Sequence, residues 1–154
     1  MPELEQTSDA VLTASRALLG VVARSVAPVL DRITVPQFRV LVILSSAPQG
    51  ARNSDLAGAL GVHPSTFTRT ADRLVAGGWV SRSENPDNRR ETLVVLTPEG
   101  RSLVDQVTRR RRTEIATILG RLDADQRDLV LRAMTVFAQA SGEPAAEDLQ
   151  ALGL

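Results

Sequence analysis

Apolar residues in this chain recur mostly at three- and four-residue intervals, and this spacing predicts a mainly α-helical protein. A first helix is predicted over about residues 8–27, disturbed or ended at Pro28, with one apolar stripe. That stripe consists of Val11, Ser15, Leu18, Leu19, Val22 and Val26. Thr34 and Gln37 have capping-box spacing and predict a second helix, which ends at residues 48–50. It is expected to carry Phe38, Leu41, Val42 and Ile43 into the core.

Next along the chain are two short helical patterns that meet at a tight turn. Asn53 is expected to cap a third helix, which closes at Gly61 and turns Leu56, Ala57 and Leu60 inward. Pro64 suits the first position of a fourth helix and leaves His63 as its cap. Residues 77–78, both glycine, end this helix.

A hairpin and two long helices complete the pattern. Trp79 and Val80 lead into a first strand, residues 92–96 form a second, and residues 84–91 form a polar loop between them. Residues 97–98, Thr-Pro, begin a fifth helix that runs to about Gly120. Residues 123–126 resemble a cap and begin a sixth helix. Its apolar face comprises Leu129, Ala133, Val136, Phe137 and Ala140. The order predicts a winged helix-turn-helix with about six helices and a two-stranded β wing, which is a DNA-binding arrangement.

The fourth helix separates on a helical wheel into a packing face and a polar face. The packing face is Phe67, Thr70, Ala71 and Leu74, and the polar face is Ser65, Thr66, Thr68, Arg69, Asp72 and Arg73. Small hydroxyl residues allow the backbone to approach a groove, and arginine can donate twice to guanine O6 and N7. Hydroxyls at a helix N-terminus can also hold a phosphate. We therefore predict that residues 64–76 enter the major groove, with an ordinary solvated face as the alternative.

The predicted DNA contacts on this helix are Ser65, Thr66, Thr68, Arg69 and Arg73. Asp72 is treated separately, because phosphates repel a carboxylate. It can accept from cytosine N4, but a pair with Arg69 or an arginine of the wing is the favoured interpretation.

The wing, residues 84–91, carries two adjacent arginines, Arg89 and Arg90. Arginines of a hairpin beside a recognition helix can enter a narrow minor groove or hold phosphate, and we predict such contacts here. A merely solubilising loop is the alternative. Asp87 is expected to order the loop.

These segments, read in order, resemble the MarR (multiple antibiotic resistance regulator) family of winged-helix regulators. The matching segments are DLAGALGV, PSTFTRTADRL, GGWVSR and LVVLTPEG, and the number and order of the flanking helices match as well. In that family a D-x-R wing motif precedes a strand ending in L-T-x-x-G. Here Arg90 takes the place of the motif's arginine and Asp87 lies three residues before it. The wing is therefore expected to be one residue longer, and either Arg89 or Arg90 can be the residue that enters the groove.

The resemblance implies a homodimer in which the N- and C-terminal helices interlock. Residues 1–33 and 97–142 would form the dimerisation helices and residues 34–96 the DNA-binding lobe, while residues 143–154 are expected to be a loosely ordered tail. The wide apolar stripes of the terminal helices support a dimer independently, because one small winged-helix core cannot cover them. A two-fold dimer would read a near-palindrome with half-sites roughly 34 Å apart.

Arg111 lies among the apolar residues of the fifth helix, whereas Arg109, Arg110 and Arg112 point elsewhere and are interpreted as a solvated face. A charge on a buried face must be paired. An acid of the partner subunit, local solvent, or an anionic effector in a cavity between lobe and dimer helices could each satisfy it. By resemblance, such an effector would be a small, often aromatic or phenolic anion.

Composition excludes several functional classes. The chain has no cysteine and one histidine, so thiolate chemistry and multi-histidine metal sites are not expected. All 18 basic residues are arginine and the formal net charge is zero, which disfavours a nonspecific polycation. His63 is expected to be a cap or phosphate contact and Trp79 to pack under the wing, with a pH switch and ligand stacking as the respective alternatives.

Neither a signal peptide nor a membrane span is predicted, because the N-terminus lacks a basic start and Arg16 and Arg24 interrupt the most apolar stretch. A cytoplasmic protein is expected. The favoured function is a sequence-specific, double-stranded DNA-binding transcriptional regulator, more readily a repressor, without cofactor or metal. The alternative is a winged-helix module for protein–protein contact or DNA architecture. Enzymatic activity is not expected, because no nucleophile motif or phosphate-binding loop is found.

Overall fold

The computed structural model describes residues 3–142, which form six α-helices, one 3-10 turn and three β-strands. The helices are α1 (Leu4–Val26), α2 (Val35–Ser45), α3 (Asn53–Leu60), α4 (Pro64–Ala76), α5 (Pro98–Leu119) and α6 (Ala124–Ser141). The strands are β1 (Ala51–Arg52), β2 (Val80–Asn85) and β3 (Asn88–Leu96). A 3-10 turn, Ala27–Val29, follows α1. The predicted tail, residues 143–154, lies outside the described residues.

The predicted helix starts at Thr34 and Asp123 are confirmed as full capping boxes. The Thr34 side chain accepts from the backbone N–H of Gln37, and the Gln37 side chain accepts from the backbone N–H of Thr34. The same reciprocal pair forms between Asp123 and Gln126. Each pair satisfies two N–H groups that the first turn of a helix leaves free. Local sequence therefore determines where α2 and α6 begin.

Two predicted boundaries are wrong. The first helix begins at Leu4, upstream of the predicted residue 8. Asn53 is the first residue of α3 and not its cap, because Arg52 occupies the cap position with an extended backbone that still belongs to β1. The Arg52 side chain instead pairs with Asp55 in the first turn, at 2.9 Å.

The sheet is larger and its polar loop shorter than predicted. It has three antiparallel strands in the order β1-β3-β2, with Ala51 opposite Val94. Glu84 pairs with Thr92 and Asn85 with Asn88, so only residues 86–87 turn between β2 and β3. The predicted loop at 84–91 is wrong. The sequence predicted a loop because this end of the hairpin is polar on both faces and lacks the apolar alternation by which a strand is recognised.

The hydrophobic core lies where α2, α3 and α4 pack against the sheet and the first half of α5. Its largest fully buried side chains include Phe67, Leu41, Leu44 and Leu56. Val42, predicted to be in the core, is 41% exposed, whereas Val40 is fully buried. Since α2 is apolar almost all round, its sequence does not mark which side faces inward.

A broad apolar surface remains uncovered on α1 and α6 in the single chain. Within residues 3–142, α6 buries none of its residues. The exposed apolar side chains are Leu4, Leu12, Leu18, Leu19 and Val22 on α1 and Leu129, Leu131, Met134, Val136 and Phe137 on α6. Monomeric proteins rarely leave so many apolar side chains exposed on two helices, which indicates an interaction surface.

The segment Leu4–Val29 is long and apolar enough to cross a membrane by length and composition. Packing distinguishes it from an isolated span. Val21, Ser25 and Val26 are buried in the fold, and Arg24 forms an ion pair with Glu114 of α5 at 2.8 Å. The C-terminal end of this segment is therefore an integral part of the folded chain.

Candidate nucleic-acid interface

The recognition face predicted on α4 is exposed along its length. Phe67, Ala71 and Leu74 are fully buried beneath it and fix the rotation of the helix about its axis. The exposed side chains are Ser65, Thr66, Thr68, Arg69, Asp72 and Arg73. Gly61, with φ +65°, provides the left-handed turn that ends α3 before α4 begins. The helix-turn-helix thus presents one polar face, with two arginines, to solvent.

Hydroxyl groups at the start of α4 are engaged locally. His63 Nδ1 accepts from the Ser65 backbone N–H at 3.3 Å and lies 2.8 Å from Ser65 Oγ, which confirms the predicted cap. Thr68 Oγ1 donates to the Pro64 carbonyl at 3.0 Å. Since that donor is used within the helix, the free donors on this face are chiefly those of Arg69 and Arg73.

Asp72 pairs with Arg82 of β2, with Oδ1 and Nη2 2.5 Å apart. Asp72 is therefore paired with an arginine, as predicted, but its partner is Arg82 and not Arg69 or an arginine of the wing at residues 84–91. Alternation along β2 was the available signal, because it places Arg82 on the same face as the buried Val80 that packs near α4. The pair neutralises the one acid of the recognition face and attaches the hairpin to α4.

The turn of the wing is ordered by two asparagines. Asn85 Oδ1 accepts from the Asp87 backbone N–H at 3.0 Å, and Asn88 Oδ1 accepts from the Arg90 backbone N–H at 3.2 Å. Among the described residues the Asp87 carboxylate makes no hydrogen bond, so its predicted ordering role falls to the asparagines. Asn88 stands two residues before Arg90, the spacing at which the family motif has its acid.

Arg89 and Arg90 are both exposed. The register between β2 and β3 shifts at this point, because Glu84 is opposite Thr92 whereas Asn85 is opposite Asn88. Both arginines therefore lie in an irregular part of the hairpin next to its turn, where regular alternation of side chains is interrupted.

Glu91 links the wing to the start of α3. Its carboxylate accepts from Arg52 at 3.5 Å and from the Asn85 side-chain amide at 2.9 Å. The hydrogen bond and charge of Asp55, and then Glu91, raise the pKa of Arg52 above its already high usual value. Because the pKa is raised, the contribution of the charged Arg52 is lost as pH rises through its folded-state pKa. Arg52 therefore stays charged near neutral pH.

The predicted effector residue, Arg111, is half-buried and donates from Nε to the hydroxyl of the buried Ser25 at 3.3 Å. Two surface cavities lie along α5. One, about 480 Å³, is lined by Arg32, Trp79 and Gln106 among others. The other, about 470 Å³, is lined by Gln106, Arg109 and Arg110, and does not include Arg111.

Trp79 is not completely buried, and Arg110 is not completely solvated, as their predictions had implied. Trp79 packs against the core, as predicted, but is only partly buried and lines the first cavity. Arg110, interpreted from sequence as part of a solvated face, is half-buried, and its Nη1 is buried without a hydrogen-bond partner in the described part of the chain. Within residues 3–142, no cluster of three or more potential metal ligands is found.

Comparison with known proteins agrees with this geometry. The family model described as "MarR family" matches residues 33–92. The multiple antibiotic resistance protein MarR of Salmonella typhimurium is 38% identical over 79 residues, 51% of this chain and 54% of that protein. The alignment thus spans about half the length of this curated relative.

Solved structures extend the likeness over almost the whole chain. The crystal structure of RV1404 from Mycobacterium tuberculosis is 45% identical, with 95% of this chain and 99% of that one covered and a TM-score of 0.81. CouR from Rhodococcus jostii RHA1, solved bound to p-coumaroyl-CoA, is 25% identical, with 94% and 98% covered and a TM-score of 0.64. Fold and interface define a winged helix-turn-helix protein. The chain belongs to the MarR family.

Proposed function

We propose that this protein is a sequence-specific, double-stranded DNA-binding transcriptional regulator that acts as a homodimer on a near-palindromic operator. The observation that carries the proposal is the exposed face of α4, where Arg69 and Arg73 stand over a fully buried Phe67, Ala71 and Leu74. Arginine on such a face is suited to guanine edges in the major groove. Membership of a family of regulators supports the same function.

In the proposed complex, residues 64–76 read the major groove and the wing, residues 84–91, contacts the minor groove and the backbone. Arg69 and Arg73 supply the base and phosphate donors, with Ser65, Thr66 and Thr68 at the start of the helix providing close approach. Arg90 is proposed as the groove-entering residue of the wing because it takes the place of the arginine in the family's wing motif. Arg89 would contact the backbone.

Dimerisation is proposed through residues 1–33 and 97–142, with residues 34–96 as the DNA-binding lobe. The support is the uncovered apolar surface of α1 and α6. Burial of such a surface in a two-fold interface removes apolar area from water and places two recognition helices on one side of the duplex. With α1 buried in this way, the proposed location is the cytoplasm rather than a membrane.

We propose repression rather than activation, because a protein that is bound at a promoter can block transcription without any further contact. We propose further that a small anion, aromatic or otherwise apolar in its body, lowers operator affinity. CouR, a structural relative, was solved with p-coumaroyl-CoA. Arg111 remains a predicted effector residue. Among the described residues, its one hydrogen-bond partner is Ser25. No catalytic step is proposed.

The testing experiment is selection of bound duplexes from a random pool by the purified protein at near-physiological salt. An enriched near-palindrome with half-sites about one helical turn apart is the expected result. Recovery of no motif, with only weak binding that salt abolishes, would contradict an operator reader and favour an architectural or protein-contact role.

A further inference from the structure

We infer that Glu91 is a positioning residue for DNA binding, which joins the wing to the start of α3 and so fixes where the Arg90 guanidinium meets the duplex. Glu91 acts through Arg90, because phosphate repels a carboxylate and Glu91 cannot itself be a contact. This role rests on the proposed function and names what holds the wing of that same interface in place.

The backbone alone does not hold the part of the wing that carries the arginines. Asn85 of β2 is opposite Asn88, but the residue before it, Glu84, is already opposite Thr92. Residues 89–91 therefore have no partner on β2, and the short strand β1 pairs further along β3. Unpaired residues of this kind re-aim the side chains of a strand. Other contacts must then fix their direction.

Side chains supply these contacts, and Glu91 is at their centre. Its Oε2 accepts from the Asn85 side-chain amide at 2.9 Å, and its Oε1 lies 3.5 Å from Nη1 of Arg52. Asn85 Oδ1 in turn accepts from the Asp87 backbone N–H at 3.0 Å. One carboxylate thus joins the turn of the wing to Arg52.

Arg52 is a fixed anchor for this carboxylate. Its Nε lies 2.9 Å from Asp55 Oδ2 and its Nη2 lies 3.4 Å from Asp55 Oδ1, so the first turn of α3 holds two of its donors. The third, Nη1, is the one that donates to Glu91. Since α3 packs against α4, the connection through Arg52 fixes the wing relative to the recognition helix.

A carboxylate in this position has an electrostatic cost. Glu91 directly follows Arg89 and Arg90, the two wing residues proposed to contact DNA, and its side chain is 34% exposed. If Glu91 had no positioning role, its removal would take away a repulsive charge and strengthen binding to every duplex. If it positions Arg90, its removal weakens binding. The two roles therefore predict effects of opposite sign.

The test is a double-mutant cycle on Glu91→Ala and Arg90→Ala, in which the full-length protein is titrated into a labelled random-sequence duplex and followed by fluorescence anisotropy. Glu91→Ala alone should weaken binding by at least about threefold. In the Arg90→Ala background it should cause no further loss, because its effect passes through Arg90.

Glu84→Ala is the matched control, because it removes the same charge from the same hairpin. Glu84 is exposed and forms no ion pair among residues 3–142, so this variant should bind the duplex as tightly as the unsubstituted protein or more tightly. For Glu91→Ala, the denaturant midpoint and the dimer dissociation constant should be unchanged, because exposed ion pairs contribute little to stability.

A second measurement needs no DNA. Amide hydrogen exchange followed by NMR should show the Asp87 N–H exchanging at least about fivefold faster in Glu91→Ala and in Arg52→Ala, and unchanged in Glu84→Ala. Unchanged exchange in either of the first two variants would overturn the inference.

Three results of the duplex titrations would overturn it as well. They are unchanged or tighter binding by Glu91→Ala, additive losses in the cycle with Arg90→Ala, and an equal loss from Glu84→Ala. Failure to select an operator would contradict the proposed function alone, because neither the random duplex nor the exchange measurement depends on an operator.

Discussion

At the scale of single residues, the charges on the polar face of α4 are arranged so that only its two arginines remain unpaired. Asp72 would repel phosphate, but its carboxylate is held by Arg82, and the Thr68 hydroxyl donates within the helix. Arg69 and Arg73 keep their donors. Specific recognition should therefore depend on very few side chains.

Arg69→Ala should weaken binding to the selected operator by about 1–3 kcal/mol and relax the preference at one base pair of each half-site. The reason is the loss of a two-donor contact to a guanine edge. Titration of operator variants with fluorescence anisotropy measures both effects. Arg112→Ala, on an exposed face of α5, is the control, and intact operator binding by Arg69→Ala would mean that α4 does not dock in the proposed orientation.

Arg90→Ala should weaken all duplexes by a similar factor and lower the slope of log K against log salt by about 1, because it removes a contact without base specificity. Salt titrations on operator and random duplexes give the slopes. Arg89→Ala, the neighbouring arginine of the wing, is the matched comparison. A larger loss from Arg89→Ala than from Arg90→Ala would show that Arg89 is the residue that enters the groove.

At the scale of elements, the junction between β3 and α5 is unusually close-packed. The Thr97 hydroxyl is 2.7 Å from the Gly78 carbonyl and 2.9 Å from that of Trp79, and it accepts from the Gly100 N–H at 3.1 Å. A Cβ at Gly100 would lie 2.2 Å from the Trp79 carbonyl oxygen. Position 100 therefore requires glycine because there is no space for a Cβ atom.

Gly100→Ala should lower the free energy of unfolding by about 1–3 kcal/mol, because the carbonyl of Trp79 belongs to the backbone and cannot rotate away. Denaturant unfolding followed by circular dichroism measures the change. Gly58→Ala, in an exposed turn of α3 with nothing near the added Cβ, should be neutral or stabilising by up to about 1 kcal/mol. Equal stability of Gly100→Ala and Gly58→Ala would show that the junction can relax.

Much of this arrangement was predictable from sequence where a local rule applied. The capping residues Thr34, His63 and Asp123 and the buried Phe67, Ala71 and Leu74 were identified from short-range pattern alone. Those signals are local because a cap or a helix face involves residues within a few positions.

Features created by contact between distant segments were not predictable in the same way. Strand β1 has two residues and exists only because β3 lies beside it. Arg82 acquires its role from Asp72, ten residues away on another element. Arg110 is a different case: it lies three residues after the buried Val107 and seven after the buried Leu103, so helical spacing was an available signal for its partial burial.

At the scale of the whole molecule, the apolar surface of α1 and α6 is as important as the interface with DNA. Phe137 is 53% exposed in the single chain and lies in the middle of the α6 stripe. A surface of this kind is stable in water only when it is covered. We expect the folded state and the DNA-binding state both to depend on association.

Phe137→Asp should raise the dimer dissociation constant by more than about 100-fold, because it removes an aromatic contact and places a charge in an apolar interface. Sedimentation equilibrium measures the constant, and operator affinity should fall with it. Thr135→Asp, exposed on the side of the same helix that carries Asp128 and Arg132, is the control. An unchanged dimer in Phe137→Asp would place the interface elsewhere.

The two threonine caps have a mechanical consequence. The Thr34 and Thr97 side chains accept from the backbone N–H groups of Gln37 and Gly100 at the two ends of the segment that carries α2 to β3. Between these ends, α2 packs against α5 in the same hydrophobic core that holds α3 and α4. A change in the distance between the two recognition helices of a dimer would therefore require this core to repack.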